Sequence, residues 1–203
     1  MKLVVFGGNG YAGSAIGAEA TRRGHDVTTV ARSADGAGQV AGSVTDPQTV
    51  RQVAPGADVL VVATPAAPAL ESLPALIEAA LAAGARLGYV GGAGSLLVAE
   101  GGPRLVDTPD FHEEWKSEAL THAQVLEQLR SAPAELDWFY VSPAAEFGAW
   151  TTTEPTGSYR TGDDVLVTDD DGRSQIAGSD FALAFVDEIT TPQHRRTRFT
   201  VAR

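Results

Sequence analysis

The sequence predicts an α/β protein in which helices cover a parallel β-sheet. Short runs of apolar and β-branched residues alternate with longer alanine-rich segments, several of which close on glycine. A glycine-rich turn also follows the first apolar run directly. Parallel neighbours in a sheet need a crossover connection, which is usually a helix, so this alternation is typical of a parallel sheet with helices on its faces.

The apolar runs in the first part of the chain predict strands. They are Lys2–Phe6, Asp26–Ala31, a short run near Val40, Asp58–Ala63, Arg86–Gly91 and Leu136–Val141. The segments between them predict the helices Tyr11–Arg23, Pro47 to about Ala54, Ser72–Ala83 and Glu113–Arg130. Gly24 closes the first helix, because glycine adopts the left-handed conformation that ends many helices. Thr45 or Asp46 caps the second helix, and Pro47 fits its first turn.

The pattern changes after residue 142, where Gly, Thr and Asp become frequent. Val165–Thr168 and Ser174–Ala177 flank an Asp-Gly pair that suits a tight hairpin turn. A last helix is predicted to begin at Ser179 or Asp180, since these side chains can cap it. A last strand is predicted at Arg198–Val201.

The domain organisation follows from the continuity of this pattern. The chain contains no linker, internal repeat or low-complexity tract. We therefore expect residues 1–203 to form one domain, with a core of residues 1–142. A small hairpin and helix region, residues 143–203, is expected to pack on the substrate side of that core.

The composition of the 203 residues narrows the classes of function. Cysteine is absent, which excludes disulfides, thiolate nucleophiles and Cys-ligated metal sites. Lys and Arg number 15 against 26 Asp and Glu, so the formal net charge is −11. Because nucleic acids and anionic membranes are bound through Lys and Arg, we expect a small molecule as the partner. The composition leaves open whether the chain also forms a homodimer or binds a protein partner.

The sequence also predicts a soluble, cytoplasmic protein without a metal site. No apolar run reaches the roughly 18 residues of a membrane-spanning helix, and the N-terminus lacks the layout of a signal peptide. The acidic run Asp169–Asp171, followed by Gly172, lacks the spaced ligands of a calcium loop. We interpret this run as a turn.

The glycine-rich turn, GGNGYAG, joins the first strand to the first helix. Gly8, Gly10 and Gly13 fit the pattern GxGxxG in the strand–turn–helix context that gives the pattern its meaning. Glycine lets the backbone approach a pyrophosphate closely, and the amides at the helix N-terminus bind that group. The pattern predicts a Rossmann-like, doubly wound sheet with a dinucleotide site formed by Gly7, Gly8, Asn9, Gly10, Tyr11, Ala12 and Gly13.

The residues after the second strand distinguish NADP from NAD. NAD sites usually place Asp or Glu there to bind the ribose 2′-hydroxyl, whereas NADP sites need a cation for the 2′-phosphate. Here Arg32 and Ser33 follow the strand. Arg32 can pair with the phosphate and stack on adenine, and Ser33 adds a hydroxyl donor. We predict NADP(H) over NAD(H), the alternative being that Arg32 is a solvated loop residue.

Motifs along the whole chain resemble those of a known family. They are Gly7–Gly13, Ala31-Arg32, Gly42–Asp46, Val62–Pro65, Val90–Ser95, Leu105–Phe111 and Asp137–Ala144. The chain resembles the atypical short-chain dehydrogenase/reductase family, and within it the NmrA-like and NADH-flavin reductase branch of NAD(P)H-binding and epimerase-like proteins. The resemblance implies that the adenine lies beside Ser43 and Val44. It also implies that the nicotinamide half lies along Ala63, Thr64, Pro65 and Gly91.

Short-chain reductases typically use a Tyr-x-x-x-Lys pair for catalysis, and this chain has none. His112 and Lys116 are a substitute, because residues i and i+4 share a helix face and histidine can donate a proton at neutral pH. The alternative is that His112 lies in a loop or cap and that Lys116 pairs with Glu113 or Glu114 on the surface.

Ser95 is the other catalytic candidate, because a hydroxyl at the end of the fifth strand can polarise a substrate carbonyl. An ordinary loop or cap serine fits the sequence equally well. Phe147 and Trp150 follow the sixth strand, where they can stack on a flat acceptor or cover the end of the sheet. We interpret His122 as a structural or solvated residue.

Together these observations predict an enzyme, an NADPH-dependent oxidoreductase. It is expected to transfer a hydride to a planar small molecule, a flavin or a quinone, or to an activated carbonyl. Reduction of a flavin or quinone needs little acid catalysis by the protein, which fits the missing Tyr-x-x-x-Lys pair. The alternatives are a non-catalytic NADP(H)-binding redox sensor of the NmrA type and an epimerase-like or isomerase-like member of the family.

Overall fold

The computed structural model describes residues 1–34 and 36–203, within which eight strands form one sheet. In chain order the strands are β1 Lys2–Phe6, β2 Asp26–Ala31, β3 Gln39–Ala41, β4 Val59–Val62, β5 Arg86–Val90, β6 Trp138–Ser142, β7 Arg160–Gly162 and β8 Thr197–Ala202. Their spatial order is β3-β2-β1-β4-β5-β6-β8-β7. Neighbours are parallel except for β7 and β8.

Helices cover both faces of the sheet. They are α1 Tyr11–Arg22, α2 Pro47–Val53, α3 Ala66–Ala83, α4 Glu113–Arg130 and α5 Gly178–Thr190. The helices α1 and α5 pack on each other over a core that includes Ile16, Phe181 and Phe185. The helices α2, α3 and α4 lie over a second core that includes Leu73 and Trp138. The predicted Rossmann-like, doubly wound α/β fold is confirmed.

The predicted bounds hold within two residues for most elements, and the main difference is at α3. This helix begins at Ala66 rather than at Ser72. Pro68 lies in its first turn, where the missing proline amide would have no helical partner in any case. The helix therefore extends back to the loop that follows β4.

The C-terminal region differs from the predicted hairpin in its pairing. The turn at Asp169–Gly172 is present, with the Gly172 amide donating to the Asp169 carbonyl at 2.9 Å. The segments on either side of it do not pair with each other as strands. Val165 forms an isolated β-bridge with Leu97, and Gln175 forms one with Glu146. The backbone groups of these two segments therefore pair with the loops after β5 and β6. The antiparallel pair of this region is β7 with β8 instead.

One described helix, α3, is long and apolar enough to cross a membrane, with a mean hydropathy of 1.3 over 18 residues. Glu71 and Glu78 interrupt its apolar residues, so the helix contains no unbroken apolar run of that length. Its buried face, which includes Leu73 and Leu76, packs against neighbouring elements of the fold. Core helices of soluble proteins share this composition. A cytoplasmic location stays a prediction.

A buried ion pair anchors the end of the sheet at which β5 begins. The Arg86 side chain is 8% exposed and contacts Glu188 Oε1 at 2.6 Å. It also donates to the carbonyl oxygen of His194 at 2.6 Å. Burial alone would raise the pKa of Glu188, but hydrogen bonds from Arg86 and His194 outweigh burial and lower it. The ionised pair therefore ties α5 and the segment before β8 to the start of β5.

The first helix lies very close to the ends of two strands. A Cβ added to Gly13 would stand 2.2 Å from the Gly7 carbonyl oxygen, and one added to Gly7 would stand 2.2 Å from the Ala63 carbonyl oxygen. Gly7 also has a φ of +86°, in the left-handed region that favours glycine. In addition, the Tyr11 hydroxyl accepts a hydrogen bond from the Gly178 amide at 2.9 Å, which joins α1 to α5.

Gly13→Ala is expected to lower the free energy of unfolding by about 1–3 kcal/mol, because the added methyl overlaps a backbone oxygen. Gly17→Ala in the same helix is the matched control, since its Cβ would come no nearer than 3.5 Å to Thr29 Cγ2. We expect the control to be neutral or to stabilise by up to about 1 kcal/mol, because alanine favours helix. Urea denaturation measures the free energy of unfolding of both variants. Equal changes in the two would contradict the close approach of Gly13 to the Gly7 carbonyl oxygen.

Candidate functional site

A cleft runs along the carboxyl ends of the parallel strands, across the point between β1 and β4 where the strand order reverses. Its two halves share Ala63 and Thr64. The glycine half, of about 470 Å³, is lined by the glycine-rich turn and by residues that end or follow β2, β3 and β4. The aromatic half, of about 390 Å³, is lined by the start of α1, the segments after β5 and β6 and one face of α4. Ligands of doubly wound folds bind at this edge of the sheet.

Most of the predicted dinucleotide residues line the cleft. Those in the glycine half are Gly7, Asn9, Gly10, Arg32, Ser33, Ser43, Val44, Ala63, Thr64 and Pro65. Those in the aromatic half are Tyr11, Ala12 and Gly91, together with the shared Ala63 and Thr64. Gly8 and Gly13 line neither half, because Gly8 packs against Thr29 of β2 and Gly13 against the Gly7 carbonyl. Any contact of these two glycines with a ligand stays a prediction.

The glycine-rich turn has the features that bind a pyrophosphate. Gly10 is the N-cap residue of α1 and provides no capping side chain, and the first turn of α1 contains no acidic residue. The first amides of the helix are therefore available to an anion. At the junction of the two halves, Thr64 Oγ1 is buried and has no hydrogen-bond partner among the described residues. The residues present fit a dinucleotide.

Arg32 and Ser33 leave β2 at the open end of the glycine half, and both are exposed. Asn9 Nδ2 donates to the Ser33 carbonyl oxygen at 3.2 Å, which ties this segment to the glycine-rich turn. Among the described lining residues of the glycine half there is no Asp or Glu. Arg32 is the charged side chain among the described residues that line this half, and a preference for NADP stays a prediction.

Ser43 is engaged within its own loop. Its Oγ lies 2.9 Å from Thr45 Oγ1 and accepts a hydrogen bond from the Thr45 amide at 3.2 Å. The neighbouring Val44 is 5% exposed and lines the same half. This part of the cleft therefore presents a small apolar surface, which suits an adenine ring better than a charged group.

Aromatic rings form one wall of the aromatic half. Trp115 of α4 and Trp150 stack with their ring centroids 5.4 Å apart, and Trp150 is 59% exposed. Phe147 packs edge-on against Tyr11 at a centroid distance of 5.2 Å, and Phe111 lines the same half. The structure thus brings Phe147 and Trp150 into the cleft. Rings arranged in this way can contact a flat ligand.

The three predicted catalytic residues are described, and none of them lines the cleft. Ser95 Oγ accepts a hydrogen bond from the Arg198 guanidinium at 2.8 Å, outside the cleft. His112 is the N-cap residue of α4, and its ring lies 4.4 Å from the Trp115 ring. Lys116 pairs with Glu113 at 3.0 Å on the surface, which is the alternative that the sequence left open. Their catalytic role stays a prediction.

The structure brings three other polar residues of α4, Glu114, Glu118 and His122, into the aromatic half. Glu118 and His122 both line it, with Glu118 Oε1 3.5 Å from His122 Nε2. Glu118 Oε1 also accepts a hydrogen bond from the Ala66 amide at the start of α3, at 2.7 Å. From the sequence alone, His122 is expected to be structural or solvated. Its spacing of four residues from Glu118 was the available signal, since such residues share a helix face.

Two buried tyrosines stand behind this pair. The Tyr89 hydroxyl lies 3.3 Å from His122 Nδ1, and the Tyr140 hydroxyl donates to the His122 carbonyl oxygen at 3.2 Å. Burial raises the pKa of both phenols above the ordinary value, so both are neutral at physiological pH. The hydrogen bond from His122 lowers the pKa of Glu118. Glu118 is therefore an ionised carboxylate beside an imidazole.

The chain is similar to proteins of known sequence and structure. The profile of the NAD(P)H-binding family matches residues 7–192. Uncharacterized protein YwnB of Bacillus subtilis (strain 168) is 36% identical over 212 aligned positions, which cover 99% of this chain and 98% of YwnB.

Solved structures of similar proteins share the fold. A Streptococcus pneumoniae protein, provisionally described as an NADH-flavin reductase, superposes with a TM-score of 0.87 at 33% identity, over 100% of this chain and 99% of that protein. A Bacteroides thetaiotaomicron protein, provisionally described as an epimerase, superposes with a TM-score of 0.87 at 31% identity, over 99% and 96% of the two chains.

Arg32→Ala is expected to weaken the binding of NADP⁺ by roughly 10- to 100-fold, because it removes charged hydrogen bonds to the 2′-phosphate. The binding of NAD⁺, which has no such phosphate, should change little. Arg51→Ala on the outer surface of α2 is the matched control. Calorimetric titration with each nucleotide measures the effect. Equal losses for the two nucleotides, or none, would contradict the role of Arg32.

Proposed function

The chain belongs to the NAD(P)H-binding family of the atypical short-chain dehydrogenase/reductase type, and from that premise we propose that it is an NADPH-dependent oxidoreductase. Its acceptor is a planar small molecule, a flavin or a quinone, or an activated carbonyl. The protein reduces this acceptor by hydride transfer and releases the oxidised nucleotide.

The continuity of the cleft is the observation that carries the proposal. In the glycine half, Gly7 and Gly10 would hold the pyrophosphate, and Arg32 would hold the 2′-phosphate. Thr64 and Gly91 would hold the nicotinamide half at the junction with the aromatic half. The aromatic half, of about 390 Å³, is within the ordinary size of a small-molecule site. A flat acceptor bound there would meet the reactive end of the nucleotide.

The nucleotide and the protein have different roles in the proposed reaction. When bound, the reduced nicotinamide supplies the hydride. The first amides of α1 bind phosphate, and Arg32 adds a charged contact for NADP. Trp115 and Trp150 cover the aromatic half, where they exclude water and offer ring faces to the acceptor. Most of the rate then comes from holding the two reactants in the correct orientation.

The names of two relatives point to different reactions. The Streptococcus protein is described as a reductase, which agrees with the aromatic half, whereas the Bacteroides protein is described as an epimerase. An epimerase would reuse its nucleotide without net consumption, and a redox sensor would bind it without turnover. The absence of a Tyr-x-x-x-Lys pair from this chain favours a reductase of flavins or quinones over an epimerase.

The first test is oxidation of NADPH and NADH in the presence of riboflavin, FMN or menadione, followed by the absorbance of the reduced nicotinamide. We expect acceptor-dependent turnover above the rate without protein, with NADPH preferred. Calorimetric titration of NADP⁺ runs alongside. Tight binding without turnover would contradict the reductase proposal and favour the sensor. No binding of either nucleotide would contradict both.

Trp150→Ala is expected to raise the KM for a flavin or quinone roughly 2- to 12-fold, which corresponds to the loss of one aromatic stack. Trp150→Phe keeps a ring and should recover most of the loss. The affinity for NADP⁺ should not change, because Trp150 lies outside the glycine half. Steady-state kinetics with varied acceptor measure the effect, and an unchanged KM would contradict the role of Trp150 in acceptor binding.

A further inference from the structure

The polar pair on α4 lies where the acceptor would bind. Glu118 and His122 line the aromatic half together with Gly91 and Gly92 at the end of β5. The approach is close, since a Cβ on Gly92 would stand 3.1 Å from His122 Cδ2. The His122 side chain is 13% exposed and the Glu118 side chain 48%. The His122 imidazole thus forms part of the cleft wall, and the more exposed Glu118 carboxylate lies between the imidazole and solvent.

The imidazole is held on both sides. Tyr89 of β5 faces Nδ1 at 3.3 Å, and Glu118 of the same helix faces Nε2 at 3.5 Å. Tyr140 of β6 stacks on Tyr89 with centroids 5.1 Å apart and hydrogen bonds to the backbone carbonyl of His122. From α3, the Ala66 amide fixes the carboxylate of Glu118. The position of the ring is therefore set by two strands and two helices.

The charges around the ring suit a proton donor. Both tyrosines are neutral, as described above, and Glu118 is ionised. His122 Nε2 therefore faces an ionised carboxylate, and Glu114 of the same helix is a second carboxyl group that lines this half. At 3.5 Å the hydrogen bond from His122 Nε2 to Glu118 is long, so an acceptor atom bound in the cleft can compete with the carboxylate for this proton.

We propose that Glu118 and His122 form the acid–base pair of the cleft, with His122 as proton donor to the acceptor and Glu118 as the residue that positions it. The proposal rests on the reductase function proposed above. The pair has the i, i+4 spacing of the Tyr-x-x-x-Lys pair that this chain lacks, on the helix that lines the acceptor site.

The acceptor receives its two hydrogens from different groups. The acceptor gains two electrons and one hydrogen as hydride from the reduced nicotinamide, and one proton from the imidazolium N–H of His122. The reduced acceptor leaves with both hydrogens, and His122 is left neutral. Solvent returns the proton by way of Glu118, whose side chain is half exposed.

Kinetics of matched histidine variants test the donor. With an activated carbonyl as acceptor, an aromatic α-keto ester, His122→Gln is expected to lower kcat roughly 100-fold, the size of a typical general-acid contribution. With menadione, whose reduction needs little acid catalysis, the loss should be smaller. His25→Gln, in the turn between α1 and β2, is the control and should match the wild type. The pH profile of kcat should differ between the wild type and His122→Gln, because the variant lacks the side chain that gives the proton. Unchanged kcat in His122→Gln, or a loss confined to His112→Gln, would overturn the assignment.

Two further readouts separate this role from a structural one. Calorimetric titration of His122→Gln with NADP⁺ should give the wild-type affinity, and a large loss would mean that the substitution damages the cleft. Carbon-detected NMR titration of the Glu118 carboxyl, assigned with Glu118→Gln, should show its pKa rising towards the ordinary value in His122→Gln. An unchanged Glu118 titration would overturn the pair even if wild-type protein shows no turnover. Absence of turnover in the wild type alone would instead overturn the reductase function.

Discussion

The close approach of α1 to the ends of β1 and β4 is the constraint on which the rest of the structure depends. Gly7 and Gly13 allow it, because each position meets a carbonyl oxygen at a distance that no side chain could occupy. The approach fixes where the first amides of α1 point and leaves Ala63 and Thr64 at the bottom of the cleft. A helix that started further from the sheet would separate the two halves of the cleft.

The two halves are built by different means. The glycine half is formed by backbone at strand ends, so its shape follows from the sheet and from one local turn. The aromatic half is formed by side chains of α4 and of the loop after β6, and it depends on contacts between elements. The hydrogen bond from the Ala66 amide to Glu118 joins the two, because Ala66 begins α3 directly after the shared segment. This hydrogen bond therefore fixes the position of α4 relative to the segment that the two halves share.

This division explains what the sequence could predict. The alternation of strands and helices and the glycine-rich turn are local patterns, and the structure confirms the fold that they predict. The binding role of Arg32 stays a prediction. The position of Ser95 after β5 predicts a place in the cleft, but the direction of its side chain depends on Arg198, which lies far away in the chain. No local pattern places His122 in the cleft either, since only the packing of α4 against β5 brings it there. The flanks of the Asp-Gly turn pair with distant loops that no local pattern indicates.

The hydrogen bond between Tyr11 and Gly178 has a kinetic consequence. It joins residues 167 positions apart, at the starts of α1 and α5. Contacts between distant parts of a chain form slowly, because the entropy of closing the intervening loop is lost before the contact stabilises anything. The face of the sheet that α1 and α5 cover is completed only when both ends of the chain have come together. The nascent protein therefore exposes the apolar residues beneath these helices until late in folding, which makes this face the one on which aggregation competes with the native state.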